Sequence, residues 1–157
     1  MPDGLYERDA LAWAERQAGL LRRLAAGERL DEAVDWAHVI EEVADVGLSE
    51  LQSCRSLLRQ AMVRLLRLRV WPDSPAAAQW REEMLGFLDD AQDRFTPSMR
   101  QRVDVGELYR AALRRVWSEA EGAREVLALP EVCPFRLEEL VSGAVEVGEL
   151  LCRLGGG

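Results

Sequence analysis

Lysine and asparagine are missing altogether, and histidine, threonine and isoleucine occur once each, as His38, Thr96 and Ile40. All 20 basic side chains are therefore arginines. Without a lysine amine there is no Schiff-base nucleophile and no Walker-type phosphate ligand, which excludes aldolase-like, pyridoxal-dependent and P-loop chemistries. One histidine likewise excludes a multi-histidine metal centre within a single chain. The 3 cysteines, Cys54, Cys133 and Cys152, are far apart and form no Cys-x-x-Cys pair, so they suggest buried thiols and not a disulfide framework, zinc knuckle or redox motif. No apolar run approaches the ~20 residues that a membrane-crossing helix needs. The polar, acidic opening is unlike a secretory signal, and a cytoplasmic location with no membrane partner is expected. The preference for arginine is what a GC-rich bacterial coding bias produces.

What is present is ordinary in bulk: 157 residues, 48% hydrophobic and 31% charged, with a net charge of −8. That length suits one domain with a real core, here expected over residues 1–154, with a disordered glycine tail at 155–157. The negative balance disfavours general binding to nucleic acid or anionic lipid. Apolar residues recur at helical spacing throughout, and no period-two strand pattern appears. Tyr6 to Ala26 reads as a first helix closed by Gly27. A second, long helix carries Trp36, Ile40, Val43, Gly47, Leu51, Cys54, Leu58, Ala61, Leu65 and Leu68 as one stripe that ends at Pro72, with Gly47 as the place where it can bend. Ser74-Pro75 opens a third helix that stops before Pro97. Asp104 and Glu107 start a fourth in the manner of a capping box, its apolar positions running on to Ala123 and Leu127, and Leu137 to Leu151 mark a fifth. The expected fold is an all-α, single-domain bundle of about five helices around the long second one. The five tryptophans are expected at the core or its edge.

That long helix is divided by charge. Residues 31–50 hold seven carboxylates, Asp31, Glu32, Asp35, Glu41, Glu42, Asp45 and Glu50, and no arginine. Residues 51–71 hold Arg55, Arg59, Arg64, Arg67 and Arg69 and no acid. Each block needs counter-charge from salt, a neighbouring helix, a metal ion or a partner. The arginines are spread around the helix with no interleaved exposed aromatics, a pattern that fits pairing with acids such as Glu82, Glu83 or Glu119 better than nucleic-acid binding.

Several segments together resemble a bacterial family, domain of unknown function 29: Leu5-Tyr6-Glu7-Arg8-Asp9 with Trp13 and Gln17-Ala18; His38-Val39-Ile40-Glu41-Glu42 through Glu50; Gln79-Trp80-Arg81; and Cys133-Pro134-Phe135. The resemblance spans nearly the whole chain and implies an all-helical fold, with no activity attached. Where that family often has a histidine and then a lysine late in the long helix, this chain has Arg64 and Arg67.

Two functional readings follow. In the first, the chain is a cytoplasmic helical module that binds another protein or a second copy of itself, without a cofactor. Antiparallel pairing of two long helices would set the acidic face of Glu41, Glu42 and Asp45 against Arg55, Arg59, Arg64 and Arg67 of the other copy. In the second, Glu41-Glu42-x-x-Asp45 forms half of a magnesium site, with Asp89 and Asp93 from the third helix, in a phosphate or nucleotide hydrolase. His38, Glu41, Glu42 and Asp45 share one face at 100° per residue, but that face lies nearly opposite the apolar stripe. A Cys54–His38 catalytic pair is disfavoured, since sixteen residues of unbroken helix separate them by roughly 24 Å. His38 is expected at the surface or as a cap.

Overall fold

The structure is a computed structural model and describes residues 4–120 and 129–155. All regular structure among those residues is helical: α1 (Leu5–Arg8), α2 (Ala10–Ala25), α3 (Trp36–Val70), α4 (Ala77–Arg94), α5 (Val105–Glu119), α6 (Leu137–Ser142) and α7 (Val147–Arg153). The architecture is the expected all-α one, with two of the expected helices each divided. Asp9 leaves helical geometry (φ −154°, ψ 85°) and turns its carboxylate onto the Ala12 N–H, ending α1 and capping α2 at once. Gly143, with φ 67°, closes α6 before α7 begins. The expected extension of the fourth helix to Ala123 and Leu127 lies outside the described residues. At the C-terminus, the Gly155 carbonyl accepts a hydrogen bond from Arg69 (2.7 Å), while Gly156 and Gly157 lie outside the described residues.

α3 is one uninterrupted helix of 35 residues. Gly47 does not break it, because a single glycine costs about 1 kcal/mol in a helix interior and its neighbours hold helical geometry on both sides. The chain forms two compact units, 1–49 and 50–157, and α3 gives 36–49 to the first and 50–70 to the second.

In the second unit the α3 segment is the central helix. Leu51, Cys54, Leu58, Ala61, Met62, Leu65, Leu66 and Leu68 are all buried, a wide apolar face of about 160° at 100° per residue that the other helices of the unit cover. Met84 and Ala91 of α4, Leu108, Tyr109, Ala112 and Val116 of α5, and Leu140 and Leu150 of α6 and α7 complete the core. Tyr109 donates its hydroxyl to the Pro130 carbonyl at 2.6 Å and meets Phe135 edge-on, anchoring the Cys133-Pro134-Phe135 segment onto α5. The thiols are free: Cys54 is buried, as expected, Cys133 is half-buried and Cys152 is exposed. Cys152 departs from the expectation because α7 turns Val147, Leu150 and Leu154 inward and so presents position 152 to solvent.

In the first unit the same stripe behaves differently. Trp36, Ile40, Val43 and Val46 are 44%, 65%, 70% and 66% exposed, against the expectation that the whole apolar face is buried. The reason is which side of α3 the other helices of the unit cover. Tyr6 of α1 and Trp13 of α2 sit over Asp35, His38 and Glu42, a face about 100° around the helix from the stripe at 100° per residue. Trp36 is thus the one tryptophan outside the core or its edge. Trp13 is buried, and Trp71, Trp80 and Trp117 are half-buried at the core of the second unit.

Candidate functional site

A cluster of polar contacts forms where α1 and α2 meet the start of α3. Asp35 stands just before α3 and gathers donors from three directions. His38 Nδ1 lies 2.7 Å from its Oδ2, Trp13 Nε1 donates to the same oxygen at 3.1 Å, and the His38 backbone N–H also reaches the carboxylate. That last bond is the N-cap contact that satisfies an otherwise orphaned donor in the first turn. Gln17, buried to 5% exposure, turns its Oε1 to accept the Asp35 N–H at 2.9 Å. Tyr6 stacks on the His38 ring at 4.0 Å between centroids and donates its hydroxyl to Glu42 Oε1 at 2.6 Å.

The electrostatics follow from these bonds. The hydrogen bond from His38, joined by that from Trp13, holds the Asp35 carboxyl below its usual range. The same Asp35 contact raises the His38 imidazole above its ordinary value. Hydrogen bonding to the Glu42 carboxylate, with the negative charges of Glu42, Glu41 and Asp45 nearby, pushes the Tyr6 phenol up to about 12. Tyr6 therefore stays protonated and serves as a donor. With Nδ1 committed to Asp35, Nε2 is the ring nitrogen of His38 left to exchange a proton, and among the described residues no nucleophile is hydrogen-bonded to it. The arrangement is a clamp that ties α1 and α2 to the first turns of α3. It makes His38 half-buried and capping-linked, where the sequence suggested a surface or capping position.

The residues considered for magnesium fall as follows. Glu42 is half-buried on Tyr6, whereas Glu41 and Asp45 are exposed on α3 and Asp89 and Asp93 are exposed on α4. Among the described residues no group of three or more histidine, cysteine, aspartate or glutamate side chains is placed to hold a metal ion.

The arginines of α3 find carboxylates inside the second unit. Arg67 grips Glu119 of α5 with Nε at 2.9 Å and a terminal nitrogen at 2.7 Å, a bidentate fork. Arg64 donates Nε to Glu83 of α4, and Arg55 approaches Glu107 of α5 at 3.4 Å. These partners pull both the Glu83 and Glu119 carboxyls below their usual range, Arg64 leading at Glu83 and Arg67 at Glu119. Glu83 and Glu119 are two of the three acids expected as partners. Arg59 differs: it is exposed and makes no hydrogen bond or ion pair with any described residue.

Sequence reading reached His38, Glu42, Asp35 as a residue able to cap the long helix, and the arginine partners Glu83 and Glu119, but it did not join Asp35, Trp13, Gln17 and Tyr6 into one constellation. The available signal was local for Asp35, three residues before His38, and lay in the family resemblance for the rest, since Tyr6, Trp13, Gln17, His38 and Glu42 all belong to its quoted segments.

The comparisons agree with the fold. The family Domain of unknown function DUF29 matches residues 5–144, and the chain belongs to that family. It is also similar to an alpha-helical protein of unknown function from Rhodospirillum rubrum, known from a crystal structure, with 30% identity, a TM-score of 0.72, and coverage of 96% of this chain and 98% of that one. No curated protein matches the chain. No helix among the described residues is long and apolar enough to cross a membrane.

Proposed function

We propose that the chain is a protein-interaction module that self-associates through the start of α3. The observation that supports this most is the exposed arc of Ile40, Val43 and Val46, 65%, 70% and 66% accessible on a regular helix, with Trp36 at its end. Contiguous exposed apolar residues at helical spacing are what a helix docking onto another helix presents. A tryptophan beside β-branched residues is the kind of anchor that carries interface energy.

A second copy suits the surface better than a basic partner. On α3 the carboxylates of Glu41 and Asp45 lie about 180° around the helix from the arc, at 100° per residue. Two arcs related by a two-fold axis can therefore meet without opposing acids. The charge-pairing form of self-association has less support, because Arg55, Arg64 and Arg67 already hold Glu107, Glu83 and Glu119 of their own chain. Fully covering a valine or isoleucine side chain contributes roughly 1.5–3 kcal/mol, so apolar burial is the driving term.

Sedimentation velocity over a range of protein concentrations tests this. The native chain is expected to show a dimer that grows with concentration and persists in high salt, and Val43→Glu is expected to remove it. A native chain that sediments as a monomer at every concentration, or a dimer untouched by Val43→Glu and Ile40→Glu, contradicts the proposal.

A further inference from the structure

The second unit contains a groove whose chemistry is opposite to that of the whole molecule. It lies between α3 and α5, has a volume of about 490 Å³, and is lined by Ser56, Arg59, Gln60, Val63, Arg64, Ala111 and Arg115. Ser56, Gln60 and Val63 are four and three residues apart on α3, and Ala111 and Arg115 four apart on α5, so each helix gives one face to it. Among the described residues its wall has three guanidinium groups and no carboxylate, in a chain of net charge −8.

The three cations are unequally neutralised. Arg59 makes no bond to a described residue. Arg115 is 67% exposed and only 3.5 Å from Glu119 Oε1, an oxygen that already receives Arg67 at 2.7 Å. Arg64 engages Glu83 through Nε and lies 5.6 Å from the centre of the Phe87 ring, which fixes its plane while leaving its terminal nitrogens free of described partners. A smaller recess continues the groove past Ser56, Arg59 and Ala111 to Gln52 and to Arg55, where the Glu107 carboxylate that pairs with Arg55 closes it. Holding like charges together with only partial neutralisation costs energy, and an incoming oxyanion lowers that cost. Guanidinium forks match the oxygens of phosphate groups in pairs.

Between the arginines, Gln60 donates its amide to Ser56 Oγ at 3.3 Å. Ser56 therefore accepts from Gln60 and keeps its own hydroxyl proton to donate outward. Among the described residues no aromatic ring lines the groove to stack a nucleobase, and hydroxyl and amide groups suit a polar body better than a flat one. We infer that the α3–α5 groove is a binding site for a small multivalent phosphate ligand, a diphosphate or phosphorylated polyol, held by Arg59, Arg64 and Arg115 with Ser56 as an added donor. The site is independent of the apolar arc in the first unit.

Isothermal titration of the full chain with inorganic pyrophosphate, at low ionic strength, is the test. Saturable binding at one site is expected. Arg59→Gln, which breaks no bond to a described residue, should weaken it at least tenfold, Arg115→Gln several-fold, and Arg22→Gln on α2 not at all. Arg59→Lys, which keeps the charge but loses the fork, should fall between native and Arg59→Gln. Circular dichroism of each variant establishes that it is folded. Absence of binding at 10 mM pyrophosphate overturns the assignment. So does affinity that is equal in Arg59→Gln, equal for citrate, or exceeded by an acidic peptide, since each would show that the groove does not recognise phosphate.

Discussion

Replacing Leu58 and Ile40 by alanine, one at a time, sets two positions of the same helix and the same stripe against each other. Leu58 is fully buried and packs among Ala61, Met62, Leu65, Met84, Leu140 and Leu150, around a cavity of about 10 Å³. Truncation there loses the transfer energy of the removed carbons and leaves a cavity that rigid neighbours on three other helices cannot fill. The expected cost is about 3 kcal/mol, within the roughly 2–5 kcal/mol typical of buried leucine. For a chain of this size, with about 2–4 °C per kcal/mol, the melting point should drop by about 6–12 °C. Ile40 is 65% exposed, so its truncation removes little burial and gains slightly in helix propensity, leaving stability within about 0.5 kcal/mol of native at low concentration. Thermal and urea melts followed by circular dichroism measure both. Equal destabilisation by the two variants, or a larger loss at Ile40, would refute the claim that the stripe changes from open to enclosed along α3.

Both tyrosines of the chain, Tyr6 and Tyr109, are held up to about 12, Tyr6 by its bond to Glu42 and Tyr109 by burial. Absorbance at 295 nm should therefore stay flat through pH 10, and a titration midpoint near the free-phenol value for either ring would contradict the geometry. Because the folded pKa of His38 lies above its unfolded value, the stability it contributes is complete below about pH 6.5 and is lost as pH rises through the folded value. Asp35, with its pKa lowered, contributes above about pH 3.8, and that contribution is lost as pH falls through the folded value. The clamp should thus be firmest between those limits, and the His38 Cε1–H signal in NMR should titrate above 6.5 in the native chain and lower in Asp35→Asn. An unchanged midpoint in that variant would show that the two side chains are not coupled in solution.

Much of the second unit is legible from spacing alone. The run from Leu51 to Leu68 places an apolar residue on every turn, and Asp104, Pro72 and Pro97 mark ends that the structure keeps. The divisions at Asp9 and Gly143 were not read, because both residues fit inside an apolar period and act through backbone geometry. The exposed half of α3 shows the limit of periodicity most clearly. Trp36, Ile40 and Val43 are as regular as Leu51, Cys54 and Leu58, and spacing reports that a face is apolar without saying whether the same chain covers it. The clamp was hidden for a related reason: Trp13 and Asp35 are 22 residues apart and Tyr6 and Glu42 are 36 apart, so only the packing of α1 and α2 brings them together. The α3–α5 groove was hidden too, since pairing with acids was expected of these arginines as a group, and only the fold gives three of them to Glu83, Glu107 and Glu119 and leaves Arg59 without a described partner.

Hydrogen exchange along α3, followed by mass spectrometry at rising protein concentration, bears most directly on self-association through the open arc. Amides of residues 36–48 should become more protected as concentration increases, and those of 54–68 should be equally protected throughout because the second unit encloses them already. Protection of 36–48 that does not depend on concentration, or that is as high in dilute solution as that of 54–68, would contradict it.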